Sequence, residues 1–233
     1  MDTQSIIEKA KRASRISLTE IESKKLLKEA GIGVVDTRMA TSKKEAIAIS
    51  KKLGLPVALK IVSSDITHKS DIGGVKLGLK TLKQVSMGYD EILTVCRKKA
   101  PRATIDGISV QKMAPPGVEV IIGMAKDVQF GPVLMFGLGG IFVEILKDVS
   151  FRIVPLERKD AQEMIREIKG YPLLKGYRGQ GPVDVANLEE LLLKVSKLAE
   201  NHMEIREIDI NPIFAYKGGA IAVDARVVLE KST

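Results

Sequence analysis

The sequence predicts an α/β (α+β) chain built as two lobes, and three observations carry that prediction. Short apolar runs with strand character, such as LPVALKIV at 55–62, interleave with helix-patterned stretches along the whole chain. Hydrophobic residues make up 45% and charged residues 28%, a globular balance. Near the middle, Ala114-Pro115-Pro116-Gly117 cannot continue regular structure, which marks a hinge. The 233 residues suffice for one large domain or two small ones. The expected division is an N-terminal arm over 1–16, a first subdomain over 17–113 and a second over 114–233.

Taken in order, Ser17 and Glu20 have capping-box spacing and open a helix that Gly31 stops. Ser42 and Glu45 open another, ending near Gly54. Leu55 to Val62 reads as a buried strand, 63–74 as a polar loop with a Gly-Gly pair, and Val75 to Leu79 as a strand. A helix follows over about 82–98, then a strand over 105–113. Beyond the hinge, Val118 to Gly123 alternates as a strand and Val133 to Phe136 is buried. Gly137 to Gly140 is a turn, and Ile141 to Leu146 is a strand containing Glu144. Residues 159–169 are helical, and GYRGQGP (176–182), with Arg178, is a polar loop. Leu188, Leu191, Leu192, Val195, Leu198 and Ala199 share one helical stripe. Two strands, IREIDINPIF and AIAVDARVVL, close the chain through YKGG.

Composition narrows the function. Net charge is +8, which suits acidic partners or phosphorylated small molecules. Aromatics are only 4% and tryptophan is absent, so base-stacking platforms are scarce and nucleic acid is not expected. The single cysteine, Cys96, forbids an intrachain disulfide and points to the reducing cytoplasm. No apolar run nears the ~18 residues of a membrane span, so no membrane is expected either.

Two constellations carry chemistry. Lys60 lies within an apolar run, where an ammonium needs an anion or an exit to solvent. It either reaches nucleotide phosphate or snorkels from an edge strand. The bare N–H groups of Gly73 and Gly74 in the following loop could cradle phosphate oxygens. In IREIDINPI, strand alternation sends Ile208 and Ile210 one way and Glu207, Asp209 and Asn211 the other. A Lys217-Gly218 turn would set Asn211 opposite Asp224; a Gly218-Gly219 turn would make them diagonal neighbours. Either register gathers hard oxygens that suit Mg²⁺, which takes few protein ligands and fills its shell with phosphate and water. Glu119 could accept from ribose hydroxyls. The backbone at Gln111, Lys112 and Met113 could meet an adenine edge. His202 follows a helix and belongs at its C-terminus. His68, the other histidine, sits in the small polar run SSDITHKSDIGG.

Together these blocks resemble the ATP-grasp family and, within it, the β subunits of ADP-forming acetyl-CoA synthetases; succinyl-CoA synthetase β chains are related. The resemblance rests on LKIVSSDITHKSDIGGVKLGL (59–79), GVEVIIGMAKDVQFGPVLMFGLGGIFVEILKD (117–148) and EIDINPI…AVDAR (207–226), in that order, and spans nearly the whole chain. It implies two ATP-grasp subdomains clamping ATP or ADP, phosphate binding by Lys60, and Mg²⁺ held by Asn211 and Asp224. It also implies that His68 carries a phosphoryl group between a partner subunit and ADP, with Asp209 orienting the imidazole. A neutral imidazole near pH 7 is a competent nucleophile. No dinucleotide-type fingerprint for CoA is present, so the CoA and acid sites are expected on a separate α subunit, in an α2β2 assembly. The competing readings are a stand-alone ATP-grasp carboxylate ligase, which needs no carrier histidine, and a non-catalytic nucleotide-sensing module. The carboxylic acid used, the physiological direction and any contacts of Glu144 and Arg178 do not follow from the sequence.

Overall fold

The computed structural model describes residues 2–63, 65–66, 69–140, 147–177 and 181–231. Helices α1 (Thr3–Arg12) and α2 (Glu20–Glu29) precede β1 (Thr37–Ala40), α3 (Lys43–Leu53), β2 (Val57–Val62), β3 (Val75–Leu79), α4 (Leu82–Lys99) and β4 (Gly107–Lys112). Then come β5 (Val118–Asp127), β6 (Gly131–Leu138), β7 (Val149–Ile153), α5 (Arg158–Glu167), α6 (Tyr171–Leu174) and α7 (Val185–Asn201). Strands β8 (Ile205–Tyr216), β9 (Gly219–Ala222) and β10 (Arg226–Leu229) end the chain. Contacts group these into two compact units, Val35–Ala114 and Met1–Val34 with Pro115–Thr233.

In the smaller unit the sheet runs β1-β4-β2-β3, with antiparallel neighbours throughout. Local chemistry sets its helix bounds. The Ser42 hydroxyl accepts the Glu45 N–H to open α3, and Gly54, at φ +76°, ends it. Thr81 and Gln84 form a reciprocal box at the start of α4. Leu59, Ile61, Ile108 and Val110 pack with Ile49 of α3 and Val85, Ile92 and Cys96 of α4. Each such aliphatic side chain contributes about 1.5–3 kcal/mol on burial. Strand alternation then turns Ala58, Lys60, Ser109 and Gln111 to the opposite face, where all four are buried.

The larger unit holds an antiparallel sheet, β10-β8-β5-β6-β7, with β9 also paired to β8. Val120, Ile122, Leu134, Phe136, Ile208 and Ile210 line its apolar face. The whole expected stripe of α7, from Leu188 to Ala199, packs in that core with Ala161, Met164 and Ile165 of α5.

Four expectations change. Residues 1–34 belong to this larger unit, so 1–16 is no separate arm and 17–34 is no part of the first lobe. Ile6 and Ile7 of α1 and Leu26, Leu27 and Ile32 bury in the same core as Ile122. The hinge stretch does fall at the unit boundary, between Ala114 and Pro115. The capping box of α2 is Thr19 with Glu22, two residues beyond the expected Ser17 and Glu20. Ser17 bridges to Val228 and the Leu18 N–H donates to Val227 O, which holds Ser17 in extended pairing. Glu20 instead pairs with Lys24 at 2.8 Å, both nearly fully buried. Finally, the chain ends in three strands, because β8 pairing passes from β9 to β10 across residues 223–225. The expected strand 141–146 with Glu144, Arg178, and His68 itself lie outside the described residues.

Candidate nucleotide and metal site

The closing strands decide the register left open by the sequence. Tyr216 pairs with Gly219, so Lys217-Gly218 is the turn. The ladder runs to Ile213 opposite Ala222 and resumes at Asp209 opposite Arg226. Two residues inward from either pair come Asn211 and Asp224, facing each other where the strand pairing lapses. The lapse has a local cause. The Val223 N–H donates to Pro212 O at 2.9 Å, but Pro212 has no N–H to return. Ile208, Ile210 and Ile213 are buried while Asp209 and Asn211 are exposed, so the acid and amide share the face away from the core. Asp224 Oδ1 accepts its neighbour Ala225 N–H at 2.8 Å.

Charge is dense on this face. Partial desolvation pushes the Asp209 carboxyl upward, Arg226 pulls it down, and Asp224 and Glu207 push it up again. Arg226 reaches Glu207 at 3.8 Å, and Arg206 reaches Glu207 at 2.7 Å. Sequence reasoning did not single out Arg226, although the hairpin count that pairs Asn211 with Asp224 also sets Arg226 opposite Asp209. Among the described residues no three His, Cys, Asp or Glu side chains gather into a metal cage. Asn211 and Asp224 supply two hard oxygens, a donor set that fits Mg²⁺ completed by phosphate and water and does not fit a metal enclosed by protein alone.

Lys60 is 6% exposed on β2, which lies between β4 and β3. An edge-strand exit to solvent is therefore ruled out. It pairs across the sheet with Ser109, whose hydroxyl donates to Lys60 O at 3.3 Å. Gln111 is buried on the same face. At the end of β4, the Lys112 N–H donates to Asp36 O and the Met113 N–H to Pro56 O. Lys112 Nζ donates to Gly54 O at 3.1 Å, which turns that side chain toward its own unit's backbone.

The two loop glycines serve differently from the expected phosphate cradle. The Gly73 N–H donates to Ser70 O at 2.9 Å and the Gly74 N–H to Lys69 O at 2.7 Å, so both close a turn. Gly73 needs φ +78°, and a Cβ on Gly74 would stand 2.6 Å from Ile61 Cγ2. Glu119 is exposed near the start of β5, and its carbonyl accepts the Gly139 N–H at 2.7 Å. A Cβ on Gly139 would stand 2.9 Å from Glu119 Cβ, and one on Gly140 would stand 3.3 Å from Glu119 Oε2. The Gly139-Gly140 pair thus leaves room for the Glu119 carboxylate. His202 is the C-cap residue of α7, as expected.

The family model of the ATP-grasp domain matches residues 9–229. The chain is 52% identical over 224 residues to acetate–CoA ligase (ADP-forming) I subunit β of Pyrococcus furiosus, covering 96% of each. It is 47% identical over 204 residues to acetate–CoA ligase (ADP-forming) I of Archaeoglobus fulgidus, covering 88% of this chain and 30% of that longer one. Acetyl-coenzyme A synthetase 1 of Ca. Korarchaeum cryptofilum, solved with coenzyme A and Ca-AMPCP, superposes with TM-score 0.96 at 46% identity over 98% of this chain and all of that one. Two further structures of that protein superpose with TM-scores 0.92 and 0.88 at 44% identity over 98% of this chain. One holds a phosphorylated phosphohistidine segment in a site I orientation; the other has that segment pointing towards the nucleotide-binding site with Mg-AMPPCP bound. With 52% identity across 96% of a β subunit and a domain match over 9–229, the chain belongs to the ATP-grasp family, among the β subunits of ADP-forming acetate–CoA ligases.

Proposed function

We propose that this chain is the nucleotide-binding subunit of an ADP-forming acid–CoA ligase, catalysing acyl-CoA + ADP + phosphate = acid + ATP + CoA together with an α subunit. The observation that carries the reading is the register that faces Asn211 with Asp224 and keeps Asp209 on their side of the sheet. Lys60, the backbone of Gln111, Lys112 and Met113, and Glu119 hold ADP or ATP. Asn211 and Asp224 hold Mg²⁺, which neutralises charge on the transferring phosphoryl oxygens. Phosphoryl transfer is mostly positioning and charge neutralisation, with acceptor and leaving group roughly in line. His68 takes the phosphoryl group from the α subunit as a phosphoramidate. An oxygen of the ADP β-phosphate then forms the new P–O bond while the N–P bond breaks, returning neutral imidazole. The two segment orientations in the Korarchaeum relative support a carrier that visits both ends.

The CoA and acid sites belong to the α subunit in this reading. The length of the Archaeoglobus relative, of which this chain covers 30%, supports a second part carrying them. An α2β2 assembly in the cytoplasm completes the proposal; the single, buried Cys96 suits a reducing compartment. Among the described residues no helix is long and apolar enough to cross a membrane.

The test is incubation of the chain and its α subunit with labelled ATP and Mg²⁺. Acid-labile, base-stable label is expected on the wild-type chain and none on His68→Ala, with ADP affinity and α-subunit phosphorylation by acyl phosphate unchanged. Label retained by His68→Ala would move the carrier role to another residue, His202 being the one other histidine. No label on wild type with its partner present would end the shuttle reading.

A further inference from the structure

Arg226 shares the open face of the larger unit's sheet with Asn211 and Asp224. Pairing between β8 and β10 sets it opposite Asp209. Asn211 and Asp224 face each other two residues further along these strands, about 7 Å away at a rise of about 3.3–3.4 Å per residue. Arginine carries five N–H donors in a planar fork that matches phosphate oxygens. A long side chain at this position can meet phosphate held at Asn211 and Asp224.

The donors of Arg226 are uncommitted. Glu207 is the one carboxylate within 4 Å of it among the described residues. That carboxylate is taken by Arg206, whose Nε and Nη2 donate to Glu207 Oε1 at 3.1 and 2.7 Å. Arg226 Nη2 stands 3.8 Å from the other Glu207 oxygen, too long for a hydrogen bond. Among the described residues the Arg226 guanidinium donates no hydrogen bond, and the side chain is 64% exposed. The face also needs a cation. Asp209 lies within electrostatic reach of Asp224 and Glu207 as well as Arg226. A phosphoryl group arriving there adds negative charge to three carboxylates, and like charges a few Å apart repel strongly where water is partly excluded.

We propose that Arg226 is a further catalytic residue, whose guanidinium forks onto the oxygens of the phosphoryl group as it passes between imidazole and nucleotide. The proposal rests on the nucleotide and carrier reading above. Arg226 only donates hydrogen bonds: the N–P bond breaks, the bond to the ADP β-phosphate oxygen forms, and no proton leaves the guanidinium. A fixed donor fork aimed at those oxygens stabilises charge that is in transit. Arg226 thus belongs to the transferred group and not to ADP, so it should tell a triphosphate from a diphosphate.

The test compares wild type, Arg226→Met and Arg226→Lys, each assembled with the α subunit. The probes are ADP and AMPPCP, an ATP analogue that keeps its terminal phosphoryl group, titrated calorimetrically with Mg²⁺ present. In Arg226→Met, AMPPCP affinity should fall about tenfold or more while ADP affinity stays within about twofold, and Arg226→Lys should recover part of the loss. Acetyl-CoA with labelled inorganic phosphate should load all three chains alike from the α side. Passage of that label to ADP, followed by rapid quench, should slow about thirtyfold or more in Arg226→Met. Glu207→Gln should leave AMPPCP affinity within about threefold of wild type, since the fork works on phosphate and not as a counterion of Glu207. Equal weakening of AMPPCP and ADP, unchanged AMPPCP affinity, undiminished passage of label, or a Glu207→Gln loss matching that of Arg226→Met would each overturn the role and leave the carrier reading standing. No label on the wild-type chain would overturn the carrier reading, and Arg226 as a residue of that transfer with it.

Discussion

Asn211 and Asp224 face each other across the closing strands where Pro212, lacking an N–H, interrupts the ladder between the Ile213–Ala222 and Asp209–Arg226 pairs. A gap in backbone pairing flanked by intact pairs leaves the two positions opposite each other without burying either residue. If both serve one Mg²⁺, Asp224→Asn should raise the Mg²⁺ requirement about tenfold or more, since an oxygen remains but its charge is lost. Asn211→Ala should act in the same direction. The double variant should fall short of the product of the single effects, with a coupling of about 0.5–3 kcal/mol. Mg²⁺ titrations of turnover check this, and strictly additive effects would assign the two residues separate roles.

Lys60 is buried on an interior strand, so its charge is kept for a purpose other than solubility. Lys60→Met retains the apolar stem and removes the ammonium. The fold should survive. ADP affinity by isothermal titration should drop about 10–100-fold, matching loss of a charged hydrogen bond of about 1.5–3 kcal/mol. Unchanged affinity would remove Lys60 from the phosphate site.

Acid stability depends on Glu22. Burial pushes its carboxyl up, but the Arg15 guanidinium, bonded to both oxygens at 2.8 and 2.9 Å, with the Thr19 N–H and hydroxyl, holds it below its ordinary value. A carboxyl lowered by folding stabilises fully above its unfolded value near 4.5, and that stabilisation is lost as pH falls through the folded value. Glu22→Gln should therefore cost about 1 kcal/mol at pH 7, a figure reduced for the pair's partial exposure. The gap to wild type should close as pH drops below about 4.5. Urea unfolding of both proteins from pH 7 to pH 3 measures it; a gap that stays constant would show that Arg15 pairing is not its source.

What the sequence disclosed follows from how local each feature is. The α7 stripe and the β8 alternation were legible because 3.6- and 2-residue periods are written in neighbouring residues. The Ser42 cap of α3 was similarly local. Ser17 misled because a tertiary bridge to Val228, far along the chain, outcompetes its capping potential. The N-terminal 34 residues were assigned away from their core because an amphipathic helix announces a buried face but not its partner. Gly73 and Gly74 stood out as a glycine pair in a polar loop suited to phosphate, but sequence could not say that the Ser70 and Lys69 carbonyls take their N–H groups. Asp209, Asn211 and Asp224 were singled out because a two-residue turn propagates register by counting, and Arg226 was overlooked by stopping that count two residues early.

The last expectation concerns the fit of Glu119 against Gly139. A Cβ on Gly139 would lie 2.9 Å from Glu119 Cβ and 3.3 Å from its carbonyl carbon, so backbone as well as side chain would have to shift. If Glu119 binds the ribose hydroxyls, Glu119→Ala should weaken ADP binding by a few fold to about tenfold, the value of one or two charge-assisted hydrogen bonds partly replaced by water. Gly139→Ala keeps every atom of the carboxylate but displaces it, and should weaken ADP binding to a similar extent. Combining the two should add little to Glu119→Ala alone, because the glycine acts through the carboxylate. Isothermal titration of the three variants, with thermal melts to separate any loss of stability, decides the matter. A double variant whose affinity loss equals the product of the single losses would show that Gly139 meets the nucleotide independently of Glu119.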